Sequence, residues 1–227
     1  MIRKTARYFM KGRLIVWEGG EGSGKTTQVA AIAEWLQSTQ SQEVLTTREP
    51  GGTALGKHLR NLLLKEEIHT IHDKTELCLY AADRIQHLEE VIKPALAQGK
   101  IVLCDRFTAS SIAYQSYGRG LDYSLVEQFN QIATNGLTPD LTIWLNLDVR
   151  IGLQRVKLRG ESDRFEKAAL EFHQRVHQGY QALAIRQPQT FITIEANQPQ
   201  ALVTQAIQQA LIKHFKEFDQ IQMQSNN

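Results

Sequence analysis

Cysteine is nearly absent: Cys78 and Cys104 are the only two in 227 residues. Far apart and each within an apolar stretch, they offer neither metal-ligand spacing nor a disulfide framework. They read as reduced core thiols, as suits a cytoplasmic protein. Charge of one sign is lacking too. With 26 Lys and Arg against 24 Asp and Glu, the net charge is +2. No global field draws the chain to nucleic acid or a membrane surface, so any anion must be held locally. No apolar run approaches the roughly 20 residues that span a bilayer. Residues 1–11 carry Arg3, Lys4, Arg7 and Lys11 but no apolar segment, which argues against a secretory signal. A basic extension over 1–12, with Met10 as an alternative start, is the expectation. There is no Asn-Lys-x-Asp tetrapeptide for guanine and no Ser-His-Asp pattern. His173 and His177 stand four apart, but Gln174 occupies the place of the glutamate in a zinc-protease helix. A solvated helix face is expected there.

What is present is concentrated in one stretch. Gly19, Gly20, Glu21, Gly22, Ser23, Gly24, Lys25 and Thr26 fit G-x-x-x-x-G-K-[ST] at every fixed position. Before it, Leu14 to Trp17 is an apolar run suited to a buried parallel strand. After it, Val29, Ile32, Ala33 and Leu36 recur at helical spacing. Strand, glycine-rich loop and helix N-terminus aim several backbone N–H groups at one anion, and the helix dipole adds to the pull. Lys25 is expected to reach the β- and γ-phosphates of a nucleotide, and Thr26 to ligate Mg²⁺. A chance lysine in a glycine-rich turn would not bring this flanking pattern with it. Asp105 ends a second apolar run and is the expected partner for Mg²⁺, acting through water. Arg106 follows at the strand end, where ligands of such sheets bind. Its planar fork suits a phosphate, the alternative being a surface pair with Asp105.

Apolar runs and helical patterns alternate through the rest. Further strands are expected at 44–47, 101–105, 141–147 and 190–194. Helices are expected at about 55–64, 73–97, 124–134, 150–157 and 165–184, and from 197 onward, where Leu202, Val203, Ala206, Ile207, Ala210 and Leu211 form one stripe. Pro50-Gly51-Gly52 is a turn. Asp73 reads as an N-cap with Glu76 closing a capping box, Pro94 as a kink and Gly99 as a stop. The alternation predicts an α/β domain over 13–215, a five-stranded parallel sheet with helices on both faces, and a polar tail over 216–227.

Several segments together carry a resemblance. They are Gly19 to Thr27, Thr47-Arg48-Glu49-Pro50-Gly51-Gly52-Thr53, Tyr80-Ala81-Ala82-Asp83-Arg84, Asp105-Arg106, Tyr114-Gln115 and Arg155 to Glu166. They resemble bacterial thymidylate kinase over nearly the whole chain, from about Leu14 to Leu211. The Arg-Glu-Pro-Gly-Gly-Thr segment beside this loop makes the likeness specific. It implies the P-loop NTPase fold with a short lid at about 155–166, and the reaction ATP + dTMP ⇌ ADP + dTDP with Mg²⁺. It also implies ATP and dTMP as small-molecule partners, no nucleic acid or membrane, a cytoplasmic location and a homodimer.

Residue chemistry agrees. Tyr80 and Arg84 are four apart and share a helical face. A tyrosine ring can stack on a base, ordinary core packing being the alternative. Arg84 only donates, so it would favour the O4 acceptor of thymine over the N4 donor of cytosine. By resemblance, both hold the base, Ser111 reaches its edge, Tyr114 packs near the sugar and disfavours a 2′-OH, and Glu21 lies near the 3′-OH. Arg48 and Arg106 are the expected grips on the acceptor phosphate. Thr27 joins the ATP-binding loop, and Arg155 is implied to lie against adenine. Relatives with an acidic residue in the loop take their catalytic arginine from the lid. That points to Arg159, with Lys157 and Arg164 as alternatives, and gives Lys25, Arg106 and Arg159 as the catalytic set. Another nucleotide or deoxynucleoside kinase, or a nucleotide-binding module without turnover, stays open on residue chemistry alone.

Overall fold

The computed structural model describes residues 12–39, 42–64, 71–160, 163–166 and 168–225, with 216–225 described as backbone only. The expected basic extension falls, but for residue 12, outside the described residues, as do lid residues 161 and 162. Five strands, β1 Arg13–Glu18, β2 Val44–Arg48, β3 Ile101–Asp105, β4 Leu141–Asn146 and β5 Phe191–Glu195, form the expected sheet. All neighbours pair in parallel, in the order β2-β3-β1-β4-β5. The register sets Trp17 and Arg48 level with Asp105, so β1, β2 and β3 deliver their carboxyl ends to one edge.

Alternation along the strands divides the core. Ile15, Trp17, Leu103 and Ile143 face α1 (Lys25–Thr39) and α9 (Gln200–Ser225), meeting Ile32, Leu36, Ile207 and Leu211. Leu14, Val16, Val102 and Cys104 face the other way, onto Leu88, Ile92 and Phe107. Strands covered on both sides read as unbroken apolar runs, which is why β1 and β3 stand out in the sequence. A third cluster, with Leu77, Tyr114, Trp144, Phe165, Phe172 and Tyr180, packs beside the sheet and walls the site.

Four local departures have physical causes. α3 (Asp73–His87) is capped by His72 with no side-chain bond, and Glu76 does not close a capping box. Glu76 is fully buried and accepts instead from Gln115, Arg119 and Arg164; charged donors at a buried carboxylate outweigh a neutral cap. A π-helical turn, Leu88–Ile92, precedes Pro94, followed by α4 (Lys93–Ala97), so the wider turn absorbs the missing proline N–H. A helix not foreseen in the sequence, α5 (Thr108–Ser111) running into a π-helical stretch Ile112–Gly118, follows β3. Its residues Ser111 to Ser116 are all buried, so no amphipathic stripe marks it. Finally, α8 spans Leu170–Arg186, leaving Phe165 outside the helix in which it was expected.

The remaining helices, α2 (Ala54–Leu64), α6 (Tyr123–Thr134) and α7 (Val149–Arg159), lie where periodicity put them. Asp122 caps α6 through Leu125 N, and Asp148 caps α7 through Arg150 N. The α9 backbone stays helical into the 216–227 tail. No helix among the described residues is long and apolar enough to cross a membrane.

Candidate active site

The glycine-rich loop leaves β1 and enters α1 with Lys25 at its first turn. Its position is fixed from below by backbone. Gly22 has φ +68, and a Cβ there would stand 2.2 Å from Gly152 O of α7, so only glycine fits. Lys25 Nζ donates to Gly19 O at 3.0 Å and Gly20 O at 2.9 Å. Burial lowers the Lys25 pKa and the Arg106 charge adds to this, against Glu21, Asp105 and Glu18. Thr26 Oγ1 donates to Asp105 Oδ2 at 2.8 Å. Among the described residues no cluster of three His, Cys, Asp or Glu can hold a metal. A hydroxyl and one carboxylate nevertheless fit Mg²⁺, which keeps waters and phosphate oxygens and takes one or two protein groups. Thr27 is exposed on the first turn of α1.

Arg106 sits at the centre of the site with φ +73, a conformation that non-glycine residues adopt only when their surroundings impose it. It does not pair with Asp105, the alternative weighed from sequence. Its Nη2 donates to Glu21 Oε1 at 2.7 Å, and its Nη1 reaches Gly19 O, Tyr180 Oη and Ser110 Oγ at 3.1, 3.2 and 3.3 Å. Tyr114 Oη donates to the same Glu21 oxygen at 2.6 Å, and its ring lies under the guanidinium at 4.8 Å. Burial would raise the Glu21 carboxyl, but the Arg106 and Lys25 charges and the Tyr114 hydroxyl outweigh it and hold it at about 2.

Beside this trio opens a cleft lined by Glu21, Tyr80, Arg84, Arg106, Ser111 and Tyr114. It unites most of the residues expected at the acceptor. Arg84 is buried and heavily engaged. Its Nε donates to Glu49 at 2.8 Å, Nη1 to Ser111 Oγ at 3.0 Å and Asn130 Oδ1 at 2.7 Å, and Nη2 to Phe107 O at 3.0 Å. That leaves one of its five N–H groups without an acceptor among the described residues. Other lining residues were not expected at the site, Phe165 and Arg60 among them. Phe165 meets Tyr114 edge-on at 5.6 Å and Tyr80 at 6.4 Å, so the lid supplies an aromatic wall. Arg60, which donates to Pro50 O, carries no motif that could have found it. Arg48 lies apart, exposed in the neighbouring recess with Thr26, Gly51, Gly52 and Asp105. A larger recess behind α5, lined by Asn130, Thr134, Thr142 and Gln187, contains neither the loop nor Asp105.

The lid arginines separate by their partners. Arg155 Nη1 reaches Gly22 O at 3.4 Å. Arg159 Nη2 donates to Glu166 Oε1 at 2.6 Å and is otherwise largely exposed. Arg164 donates to Leu63 O at 3.1 Å and to Glu76, with its guanidinium over the Phe165 ring. It is a strut between the lid and α2 and α3, which argues against it as the mobile arginine. Lys157 is exposed. The expectation for the histidines needs correcting: His173 is buried edge-on to Phe172, and His177 is half-buried against Asn146 at 2.8 Å. The sequence hid this because the neighbours that cover the histidines include Asn146 and Trp144 of β4, which are distant along the chain.

The family model for thymidylate kinase matches residues 17–207. The thymidylate kinase of Cyanothece sp. is 51% identical over 220 residues, covering 89% of this chain and 94% of its own. That of Trichodesmium erythraeum is 50% identical, covering 93% and 100%. The crystal structure of thymidylate kinase from Ehrlichia chaffeensis superposes with a TM-score of 0.74 at 33% identity, covering 88% of this chain and 99% of that one. The chain belongs to the thymidylate kinase family.

One carboxyl beside the Pro50-Gly51-Gly52 turn predicts a pH effect. Asp83 Oδ1 accepts from Gly51 N at 3.0 Å, while Oδ2 is buried with no partner among the described residues. Burial and the Glu49 charge raise its pKa to about 6, against the Gly51 N–H, His87 and Arg84. A carboxyl raised in the folded state stabilises the fold below its unfolded pKa of 3.8, and that contribution is lost as pH rises through about 6. The stability of the wild type relative to Asp83→Asn is expected to fall by about 2 kcal/mol between about pH 4.5 and 7.5, read by urea unfolding. A difference that stays flat with pH contradicts the assignment.

Proposed function

We infer that this chain transfers the γ-phosphoryl group of Mg²⁺-ATP directly to dTMP, giving dTDP. One observation carries the reading: Arg106 belongs to both halves of the site. It reaches the loop carbonyl of Gly19 at 3.1 Å and lines the acceptor cleft beside Glu21. A single cation thus stands where a donor phosphate tail and an acceptor phosphate would meet.

The dTMP phosphate is already a nucleophile near neutral pH, so no strong base is needed, and positioning and charge stabilisation do the rest. Lys25 turns from its own loop carbonyls to the β- and γ-phosphates. Arg106 holds the acceptor phosphate in line, with Arg48 at the neighbouring recess. Thr26 and Asp105 would hold Mg²⁺, which would supply charge neutralisation for the phosphate tail. Arg159 leaves Glu166 and swings onto the transferring group, while Arg155 lies against adenine. Closure of the lid excludes water and suppresses hydrolysis of ATP. In the acceptor cleft Tyr80 stacks on the base, and the remaining Arg84 N–H with the Ser111 hydroxyl read its edge. Tyr114 fills the space a 2′-OH would need, and Glu21 accepts from the 3′-OH. The reading includes a homodimer, supported by exposed Ile85 and Ile132 on the packed helices α3 and α6. It also includes a cytoplasmic location, which two free cysteines suit.

An acceptor screen with Mg²⁺-ATP tests it. dTMP is expected to exceed dCMP in kcat/KM by about 10²-fold or more, with thymidine inactive, as buried polar groups left unpaired reject the wrong edge. Preference for another monophosphate or a nucleoside makes the chain a different kinase. ADP release that does not depend on any acceptor sinks the transferase reading.

A further inference from the structure

Glu18 ends β1 one residue before the loop, fully buried, and takes no part in the chemistry above. All of its hydrogen bonds point toward Arg106. Oε1 accepts from Phe107 N at 2.9 Å and Ser110 N at 3.1 Å, the backbone immediately after Arg106. Oε2 accepts from Ser110 Oγ at 2.6 Å and from Tyr180 Oη at 2.9 Å. These two hydroxyls are 3.0 Å apart, and both are contacted by Arg106 Nη1.

We propose that Glu18 is a positioning residue for phosphoryl transfer, acting through Ser110 and Tyr180 to aim the Arg106 guanidinium. A hydroxyl has one hydrogen and two lone pairs, while a guanidinium can only donate. An ionised Glu18 is acceptor-only, so it draws both hydroxyl hydrogens toward β1. The lone pairs of Ser110 and Tyr180 then face Arg106 and, with Gly19 O, hold Nη1 on the protein side. Nε and one hydrogen of Nη2 have no acceptor among the described residues and face an incoming phosphate oxygen. Burial raises the Glu18 pKa above its ordinary value, while the Arg106 charge and the donors Ser110, Phe107 and Tyr180 act against it and favour the charged form that their geometry requires. The same carboxylate pins Phe107 N and Ser110 N, the turn that keeps Arg106 at its positive φ. Tyr180 comes from α8, so three separate segments of the fold converge on the orientation of one side chain.

This proposal rests on Arg106 being the acceptor-phosphate group. Glu18→Gln keeps the shape and an oxygen for the two backbone N–H groups. It places an amide donor where Oε2 accepted, so the hydroxyls must turn their hydrogens toward Arg106. The expected result is a kcat lower by about 30-fold and a dTMP KM higher by about fivefold, with the ATP KM within about twofold of wild type. Tyr180→Phe removes one hydroxyl from a packed ring and is expected to shift the same two parameters by about fivefold. In an Arg106→Ala background, Glu18→Gln is expected to change kcat/KM by less than about twofold, because the route through Arg106 is gone. Two results overturn the proposal: equal loss in donor and acceptor parameters, or a Glu18→Gln effect that persists in full without Arg106. Should Glu18→Gln not fold, Tyr180→Phe with unchanged dTMP kinetics overturns it as well. Wild-type acceptor kinetics in Arg106→Ala alone would sink the reading of Arg106 and this proposal with it, whereas a large Arg106→Ala loss with silent Glu18→Gln and Tyr180→Phe sinks only the latter.

Discussion

Arg159→Ala is expected to lower kcat by about 10³-fold, with KM for dTMP and ATP changed by no more than about threefold. Transition-state arginines in phosphoryl transfer contribute on that scale, and their effect falls on the chemical step rather than on ground-state binding. The structure makes the experiment clean. Arg159 is largely exposed, its one strong partner is Glu166 on the same lid, and no core cluster includes it. Arg159 is exposed, and Glu166, though largely buried, keeps the Asp163 N–H as a donor, so the melting temperature should move by less than about 2 °C. A wild-type kcat in the variant assigns the catalytic charge elsewhere. Arg155, which already touches the loop at Gly22 O, is the next candidate on geometry.

Arg84→Ala is expected to do two things at once. It leaves the Glu49 carboxylate, 3% exposed, without its guanidinium partner, and deprives Ser111 Oγ, Asn130 Oδ1 and Phe107 O of the donor they accept from. Breaking a buried ion pair from one side destabilises by about 3–5 kcal/mol, which urea unfolding will read. On the proposed reading the same change also removes the donor that would separate thymine from cytosine, so the dTMP to dCMP ratio of kcat/KM should drop at least about tenfold. The readouts are independent. An unchanged ratio with lost stability leaves Arg84 as scaffold alone; a loss below about 1 kcal/mol contradicts the network. Arg84→Lys is no substitute, because an ammonium cannot reach Glu49, Asn130 and Phe107 O from one plane.

The strands, the loop and the carboxylate at the end of β3 were legible because each carries a local signal: an unbroken apolar run, glycine spacing, a charge at a strand terminus. Tyr80 and Arg84 were legible as a pair because helical spacing forces them onto one face. Arg106 was legible as a site residue, but its partner was not. The link to Glu21 spans a loop and a strand end that only the parallel register brings together. Phe165 escaped because its apolar neighbours extend a helical pattern across what is a turn. Glu76 escaped because cap chemistry is local, whereas its donors come from Gln115, Arg119 and Arg164, distant along the chain. The helix after β3 escaped through burial on every side, and Glu18 through lacking any motif of its own.

The contact between Gly22 and Gly152 gives the lid a rigid root. Peptide meets peptide there, with no compressible side chain between. Any shift that a bound triphosphate imposes on the loop is therefore handed directly to the first turns of α7. Seven residues farther along that helix, about 10 Å at 1.5 Å per residue, stands Arg159. On the proposed reading, α7 is a lever whose fulcrum would touch the bound nucleotide and whose free end would carry the catalytic charge, so a small rotation at the short arm becomes a long sweep at the tip.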